Sequence, residues 1–215
     1  MNYKVIDINN YYRRSVFEHF SKDCKCSVSM THRIDVTKLK RFSEATNTKF
    51  YINFLYVLCK ALNSRDDYKM VWQWQTNELL CYDVINPTQY IFHEDTETFT
   101  VVYTKYSEDY KVFYENALRD AENAKKTREY GLDSENHPNW FDASFLPWLS
   151  YDSLNIELPD GYLYFQPIVN WGKYEIKNGV YKMPVSVRMN HAICDGYLIS
   201  KVFALIEAEI EKLSE

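Results

Sequence analysis

Apolar residues recur along the chain with two different spacings, and each spacing predicts a different kind of element. In the run YKMPVSVRMN every second residue is apolar, so one face of a predicted strand carries Met183, Val185, Val187 and Met189. In residues 46–63 apolar side chains recur every three to four positions, which predicts an amphipathic helix. We therefore expect a protein that contains both strands and helices.

The same two periods predict the other elements. Further helices are expected at residues 10–20, 107–128 and 197–213, and further strands at residues 28–37, 70–75, 78–85 and 99–106. Within residues 174–190, Asn178-Gly179 separates two strand-like runs, which predicts a hairpin with a type I′ turn. The polar residues 131–140 predict a loop.

This order of elements predicts an α+β fold, a two-layer sandwich of a mostly antiparallel mixed sheet covered by helices. We find no internal repeat, low-complexity segment or linker, and 215 residues suit a single domain over residues 1–215. Hydrophobic residues make up 46% of the chain and aromatic residues 17%. This content is enough for a sizeable core, and aromatic side chains often build pockets or interfaces.

Charge, hydropathy and cysteine content argue against several classes of protein. A net charge of −5 argues against a nucleic-acid partner held through its phosphates. No run approaches the roughly 18 apolar residues of a membrane span, and the first residues lack the apolar segment of a secretory signal. The five cysteines are irregularly spaced, which fits neither a disulfide framework nor a zinc site. We expect a cytoplasmic protein with reduced thiols, no metal, no nucleic-acid partner and no membrane contact.

Residues with distinctive chemistry meet where the last predicted strand passes into the last helix, in MNHAICDGYLI. Period two places His191 on the apolar face of the strand. A neutral imidazole can take a proton from a hydroxyl or thiol near neutral pH, so His191 is a candidate general base. Asp195, four residues later, could help to fix this junction.

Other interpretations of the junction remain open. His191 can be a core histidine with one hydrogen-bonded nitrogen, and Asp195 can cap the following helix through the backbone N–H groups of its first turn. A metal site would need more ligands than these two residues supply. A nucleophilic Cys194 would need an activating neighbour that the sequence does not show.

The segment NHAICDGYLISKVF, residues 190–203, resembles the active-site signature of the trimeric chloramphenicol acetyltransferases. Five other blocks resemble the same family in the same order along the chain: IDINNYYRRSVFEHF, KFYINFLYVLCKALN, IFHEDTETFT, SFLPWLSYDSLNIE and YFQPIVNWGKY. Six matching blocks in the same order are far less probable by chance than a single matching motif. The resemblance covers nearly the whole chain and implies the fold of that family.

The resemblance also implies an activity, the transfer of an acetyl group from acetyl-CoA to a small-molecule alcohol, with chloramphenicol as the default acceptor. His191 matches the general base of the family, and Ser144 matches the serine that stabilises the oxyanion. Asp195 matches a structural aspartate, and Arg13 matches the arginine that pairs with it. Because the family's active site lies between subunits, a homotrimer is implied as well.

Positions that match the family's binding residues fall into two groups. The residues that match the acetyl-CoA site are Lys49, Tyr51, Trp148 and Tyr174. The residues assigned to the acceptor pocket are Phe20, Phe99, Leu154, Tyr164, Ile168 and Asn170.

The sequence also departs from the family pattern. Asn190 stands where the signature has its first histidine, and further departures near the predicted acceptor pocket are Asp142, Leu154, Asn170, His19, Cys24 and Thr88. Changed pocket contacts alter which alcohol fits. Two alternatives therefore remain open: the same reaction on a different hydroxyl-bearing molecule, or a non-catalytic trimer that binds a hydrophobic ligand.

Overall fold

The computed structural model describes residues 1–158 and 162–213 of the chain. The α-helices within these residues are α1 (Arg14–Glu18), α2 (Thr37–Ala45), α3 (Phe50–Asn63), α4 (Tyr110–Ala124) and α5 (Gly196–Glu211). The strands are β1 (Tyr3–Val5), β2 (Ser27–Asp35), β3 (Met70–Gln73), β4 (Glu78–Tyr82), β5 (Asn86–His93), β6 (Thr98–Tyr103), β7 (Trp140–Leu146), β8 (Ile168–Gly172), β9 (Glu175–Lys177) and β10 (Val180–Asn190). Short helical turns cover Ile8–Asn10, His19–Asp23 and Asp66–Tyr68. None of the described helices is both long and apolar enough to cross a membrane.

Most of the strands form one mixed sheet, in which β2, β10, β8, β7, β5 and β6 follow one another and β9 pairs with the first residues of β10. Strand β7 runs parallel to both of its neighbours, β5 and β8. The other described pairs of this sheet are antiparallel. A smaller antiparallel sheet has the order β1, β4, β3.

One face of the main sheet is apolar and forms the core. Val187 and Val169 are direct partners on β10 and β8, as are Val185 and Trp171, and all four side chains are fully buried. The ring of Trp171 lies 5.1 Å from that of Phe54 in α3. Helices α3 and α5 cover this face, and burial of its apolar side chains drives folding. The predicted α+β arrangement, a mixed and mostly antiparallel sheet covered by helices, is confirmed.

The opposite face of the same sheet is polar. Because side chains alternate along a strand, the residues between the apolar ones project to this second side. One row across four neighbouring strands consists of Thr31, Ser186, Asn170 and Ser144. The hydroxyl oxygens of Thr31 and Ser186 lie 2.6 Å apart.

The pattern of spacings predicts some elements and misses others. The predicted helices at residues 46–63, 107–128 and 197–213 correspond to α3, α4 and α5. The predicted strand at residues 28–37 ends two residues early, because α2 begins at Thr37. Helix α2 and strands β1, β5, β7 and β8 were not predicted.

Two glycines adopt a backbone conformation that other residues rarely adopt. At the predicted hairpin turn, Asn178 and Gly179 have φ angles of 52° and 77°, both positive as a type I′ turn requires. Gly131 has a φ of 83°, and a Cβ atom there would lie 2.5 Å from the carbonyl oxygen of Val101. The N–H of Val101 donates to the carbonyl of Tyr130 at 2.7 Å. Gly131 therefore lets the loop that carries Tyr130 lie directly against β6.

Alanine at these two glycines tests this packing. Gly179→Ala should lower the free energy of unfolding by about 1 kcal/mol, because only the left-handed backbone conformation is penalised and no atom lies within 4 Å of the new Cβ. Gly131→Ala should lower the free energy of unfolding by about 2–3 kcal/mol, because the new Cβ would clash with the Val101 carbonyl in addition to straining the backbone. Urea denaturation of both variants measures the difference. Equal losses would contradict the close approach at Gly131.

Candidate active site

A cavity of about 370 Å³ lies at the polar face of the main sheet. Ser144 lines it together with three residues of the predicted acceptor pocket, Tyr164, Ile168 and Asn170. The register explains this grouping, because Ser144 and Asn170 are direct partners on the parallel strands β7 and β8. The other described lining residues are Tyr90, Tyr130, Leu132, Trp140, Asp142, Ile156 and Leu158.

A buried carboxyl group forms part of the wall of this cavity. The side chain of Asp142 is 7% exposed, and it accepts hydrogen bonds from the hydroxyls of Tyr164 at 2.5 Å, Tyr90 at 2.8 Å and Thr88 at 3.2 Å. Burial raises the pKa of Asp142 above its ordinary value, although these hydrogen bonds oppose the rise. The indole N–H of Trp140 donates to the Tyr164 hydroxyl at 3.2 Å, which extends the network along the wall.

His191 follows the last residue of β10 and lies outside this cavity. Its ring stacks on Phe20, with a centroid separation of 3.8 Å and an interplanar angle of 10°. Its backbone N–H donates to the carbonyl of Cys26 at 3.0 Å. Its Nδ1 atom is buried and makes no hydrogen bond within the described part of the chain. The ring is therefore oriented by its stack on Phe20, while the backbone bond holds the residue beside Cys26.

The Ser144 cavity of one chain does not include His191 in its described lining. His191 lies in the turn that directly follows β10, whereas Ser144 is in register with Asn170 on the polar face of the sheet. The two predicted catalytic residues therefore do not share this cavity within one chain.

An ion pair links the start of α5 to the segment that carries Phe20. Arg13 Nη2 donates to Asp195 Oδ2 at 2.9 Å, and Asp195 Oδ1 accepts from the backbone N–H of Leu198 at 2.9 Å. Burial alone would raise the pKa of Asp195, but the hydrogen bonds from Leu198 and Arg13 hold it below its ordinary value. Arg13 directly precedes α1, and the π-helical turn that follows α1 contains Phe20. The ion pair therefore ties the start of α5 to the segment that carries Phe20.

The turn that carries His191 is closed by Asn190. Its side-chain Oδ1 accepts from the backbone N–H of Ala192 at 2.9 Å, and its carbonyl accepts from the N–H groups of Ile193 and Cys194. An amide at this position therefore fixes the turn.

Three of the four residues assigned to acetyl-CoA surround the start of α3. The side chain of Lys49 is 54% exposed and lies 3.6 Å from Glu122, and the hydroxyl of Tyr51 donates to Gln89 at 3.0 Å. The ring of Tyr174 lies 5.6 Å from that of Phe50. Trp148 lies elsewhere: its exposed ring contacts Phe92, with the centroids 4.9 Å apart.

The three remaining residues predicted for the acceptor pocket lie in three different places. Phe99 lies beside the cavity, with its ring 5.4 Å from that of Tyr90, whereas Phe20 lies against His191. Leu154 is not among the described lining residues, and its backbone N–H instead donates to Thr31 at 3.4 Å. Ile156, two residues later, lines the cavity.

Sequence reasoning missed several lining residues. Tyr90, Tyr130 and Trp140 line the cavity, and each lies outside the quoted blocks that resemble the family. Tyr130 directly precedes the predicted loop and Trp140 is its last residue. Apolar spacing gives no structural signal in such a polar segment. The structure brings them together through the pairing of β5 with β7 and the contact of the Tyr130 loop with β6.

All five cysteine thiols are free, and none of them lines the cavity at Ser144. In the parts of the chain that the structure describes, no group of three or more His, Cys, Asp or Glu side chains is arranged to hold a metal ion.

Comparison with known proteins shows which families and structures this chain resembles. The sequence profile of the family described as "Chloramphenicol acetyltransferase" matches residues 1–207. The chain belongs to this family. It is therefore an acyltransferase, and the identification made from the six sequence blocks is confirmed.

Individual relatives extend over nearly the same length. The Escherichia coli protein named "Chloramphenicol acetyltransferase 3" is 34% identical over 204 residues, which cover 94% of this chain and 93% of the relative. A chloramphenicol acetyltransferase of Clostridium butyricum is 32% identical over 201 residues, 94% of this chain and 91% of the relative. A solved chloramphenicol acetyltransferase structure matches 97% of this chain and 100% of its own chain, with a TM-score of 0.84 at 20% identity. That structure shows the same fold.

The support of this chloramphenicol acetyltransferase fold by Arg13 and Asp195 can be tested with three variants. Asp195→Ala removes the helix cap and the partly exposed ion pair, so it should lower the free energy of unfolding by about 2 kcal/mol and lower activity with it. Asp195→Asn keeps a capping oxygen, so its free energy of unfolding should fall by about half as much. Asp95→Ala, which breaks the exposed pair between Asp95 and Arg128, is the matched control and should change little.

The pH dependence of the same variants follows from the lowered pKa of Asp195. A carboxyl with a depressed folded-state pKa contributes stability above its unfolded pKa, and this stability is lost as pH falls through the folded pKa. The stability difference between the original protein and Asp195→Asn should therefore shrink in acid. A fall in activity with unchanged thermal stability at neutral pH would contradict the supporting role.

Proposed function

We propose that the protein transfers an acetyl group from acetyl-CoA to a hydroxyl group of chloramphenicol. The observation that carries this proposal is that relatives named as chloramphenicol acetyltransferases are 32% and 34% identical over 94% of the chain. The cavity of about 370 Å³ at Ser144 also has a volume within the range of small-molecule sites.

Acetyl-CoA would supply the acetyl group as an activated thioester. The residues that we expect to bind it are the four named above. Lys49 stands at the N-terminus of α3 with a half-exposed ammonium group, where charge and helix dipole both favour a phosphate. The exposed ring of Trp148 offers an apolar surface, while Tyr51 and Tyr174 are partly buried and would shape the site through packing.

His191 would act as the general base. Because Nδ1 is buried, we expect Nε2 to take the proton from the acceptor hydroxyl. The parallel stack on Phe20 holds the ring so that little rotation is needed when the acceptor binds, which lowers the entropic cost of reaching the reactive geometry.

Ser144 would stabilise the oxyanion that forms when the acceptor oxygen attacks the thioester carbonyl. Its hydroxyl lines the cavity from a strand that is buried on its other side. Because the strand holds this hydroxyl in place, little reorganisation is needed as negative charge develops on the oxygen. Asp195 and Arg13 would take no proton, and they would act by holding the segment that supports His191.

The two catalytic residues would meet between chains. Because His191 is not in the described lining of the Ser144 cavity of its own chain, we expect His191 of one subunit to approach the Ser144 cavity of a neighbour. Head-to-tail contacts of this kind close into rings, and a homotrimer is the ring that we propose.

Single substitutions test the two catalytic roles. His191→Ala should abolish detectable acetyl transfer, because a placed base is typically worth about 10²–10⁴ in rate. Ser144→Ala should lower kcat by about 10²–10³. Release of free CoA thiol with chloramphenicol as acceptor measures both, and circular dichroism and sedimentation check that each variant folds and assembles. Normal turnover by a folded His191→Ala protein would rule out the base.

Mixed oligomers test the shared site. If each site takes His191 from one chain and Ser144 from another, a one-to-one mixture of His191→Ala and Ser144→Ala chains should recover about a quarter of the original activity, because half of the chains supply each intact residue. Refolding or co-expressing the two variants together provides the mixture, and each variant alone is the control. If both residues came from one chain, the mixture would stay as inactive as its components.

The same assays separate the two other functions that the sequence leaves open. Turnover of another alcohol but not of chloramphenicol would keep the chemistry and change the acceptor. The buried Asp142 in the cavity wall is the observation that favours this second candidate. Binding of a hydrophobic ligand without any turnover would indicate a non-catalytic protein.

A further inference from the structure

The short helical turn Asp66–Tyr68, between α3 and β3, carries a buried carboxyl group. Asp67 is 4% exposed and Tyr68 is 1% exposed. A buried carboxyl group is costly unless other groups hydrogen-bond to it or compensate its charge. The partners of Asp67 therefore show which parts of the chain this turn holds together.

One partner belongs to the N-terminal segment that leads to Phe20. The hydroxyl of Tyr12 donates to Asp67 Oδ1. The next residue is Arg13, whose guanidinium group pairs with Asp195. Tyr12 is itself 70% exposed, so packing alone does little to hold it. The bond to Asp67 thus anchors the start of this segment.

Two further contacts reach the chain at the start of α5. The thiol of Cys194 donates to the backbone carbonyl of Asp67, with the sulfur and oxygen atoms 3.7 Å apart. The hydroxyl of Tyr68 donates to the carbonyl of Leu198, in the first turn of α5, at 2.8 Å. The helical turn therefore bonds to the N-terminal segment on one side and to the start of α5, just after His191, on the other.

Arg65 compensates the charge of Asp67. Its Nε and Nη2 atoms donate to Asp67 Oδ2 at 3.1 and 2.6 Å, so each carboxylate oxygen has a partner. The Asp67 side chain is 6% exposed, whereas that of Asp195 is 34% exposed. Screening by water and salt is weaker for a buried pair, so the link at Asp67 depends less on solvent than the ion pair at Asp195.

We propose that Asp67 is a positioning residue for the proposed acetyl transfer. Its side chain holds the N-terminal segment through Tyr12, and its carbonyl holds the start of α5 through Cys194. Together these bonds keep the imidazole of His191 stacked on Phe20. Asp67 acts through His191 and takes no proton. The kinetic part of this inference rests on the proposed role of His191 as the base, whereas the geometric part does not.

Asp67→Asn tests the kinetic effect, because the amide keeps the size of the side chain but cannot accept hydrogen bonds at two oxygens. We expect kcat with chloramphenicol to fall by about tenfold or more, since a small displacement of a catalytic group is costly. The KM for acetyl-CoA should stay the same, because most of the residues expected to bind it surround the start of α3. The matched control is Asp66→Asn. This neighbouring carboxylate pairs with Lys4 and Lys69 at the surface, so its loss should leave kcat unchanged.

A spectroscopic measurement detects the position of the imidazole directly. His191 stacks on Phe20 with the ring centroids 3.8 Å apart, so the ring current of Phe20 shifts the Cε1 proton of His191 upfield in the NMR spectrum. His191→Ala identifies this signal in protein with isotopically labelled histidines. Asp67→Asn should move the signal downfield, whereas Asp66→Asn should leave it in place.

The signal separates positioning from a purely structural role. If Asp67 contributed only to stability, Asp67→Asn would lower the melting temperature and leave the His191 signal of the folded protein in place, which would overturn the proposal. A displaced signal with normal turnover would support the positioning of the ring and overturn His191 as the base. The inference and the proposed function therefore fail by different results.

A second variant keeps the test decisive if Asp67→Asn does not fold. Tyr12→Phe removes only the hydroxyl of a largely exposed residue. It should move the His191 signal in the same direction and lower kcat by a smaller factor. Where both variants fold, the loss of kcat in the double variant should be smaller than the product of the two single losses, because Tyr12 and Asp67 share one bond. An unmoved signal in Tyr12→Phe, or losses that multiply fully, would overturn the link between the two segments.

Discussion

Side chains alternate between the two faces of a strand, and this constraint determines which strand residues can reach the cavity at the polar face of the main sheet. In β10 the alternation buries Val185 and Val187 against the helices and turns the intervening positions to the polar face. Ser144, in register with Asn170, belongs to the polar face. His191 lies in the turn that follows β10, outside the described lining of that cavity. A shift of one residue in the register of β10 would exchange the faces and bury polar groups in the core, so the hydrophobic core itself fixes which residues of β10 reach the polar face.

The same core also explains how His191 is held. The imidazole has no hydrogen bond at Nδ1 within the described residues, so its orientation depends on stacking with Phe20 and on the backbone contact with Cys26. The pair of Arg13 and Asp195 ties the start of α1 to the first turn of α5. The partly exposed ion pair contributes little energy, but it joins segments that are distant in sequence. We propose that it helps to position the segment that carries Phe20.

The sequence predicted elements with a strong period and missed those without one. Helices α3 and α5 and strand β10 have regular apolar spacing, and all three were anticipated. Strand β7 alternates Phe141 and Ala143 with Asp142 and Ser144 over only a few residues, and it begins in sequence that was predicted to be a loop. Strand β5 includes buried polar residues, Thr88 and Gln89, which bond within the core. The pattern at the end of the last strand already pointed to His191, and the resemblance added Ser144. Tyr90, in the same cavity as Ser144, could be found only from the pairing of β5 with β7.

We propose that the acceptor binds between a serine of one chain and a histidine of another. A crystal structure of the assembled protein with chloramphenicol bound tests this arrangement. We expect a ligand that contacts Ser144 of one subunit and has its reactive hydroxyl within hydrogen-bond distance of Nε2 of His191 from the neighbouring subunit. A ligand whose hydroxyl meets Ser144 and His191 of the same chain would contradict the shared site.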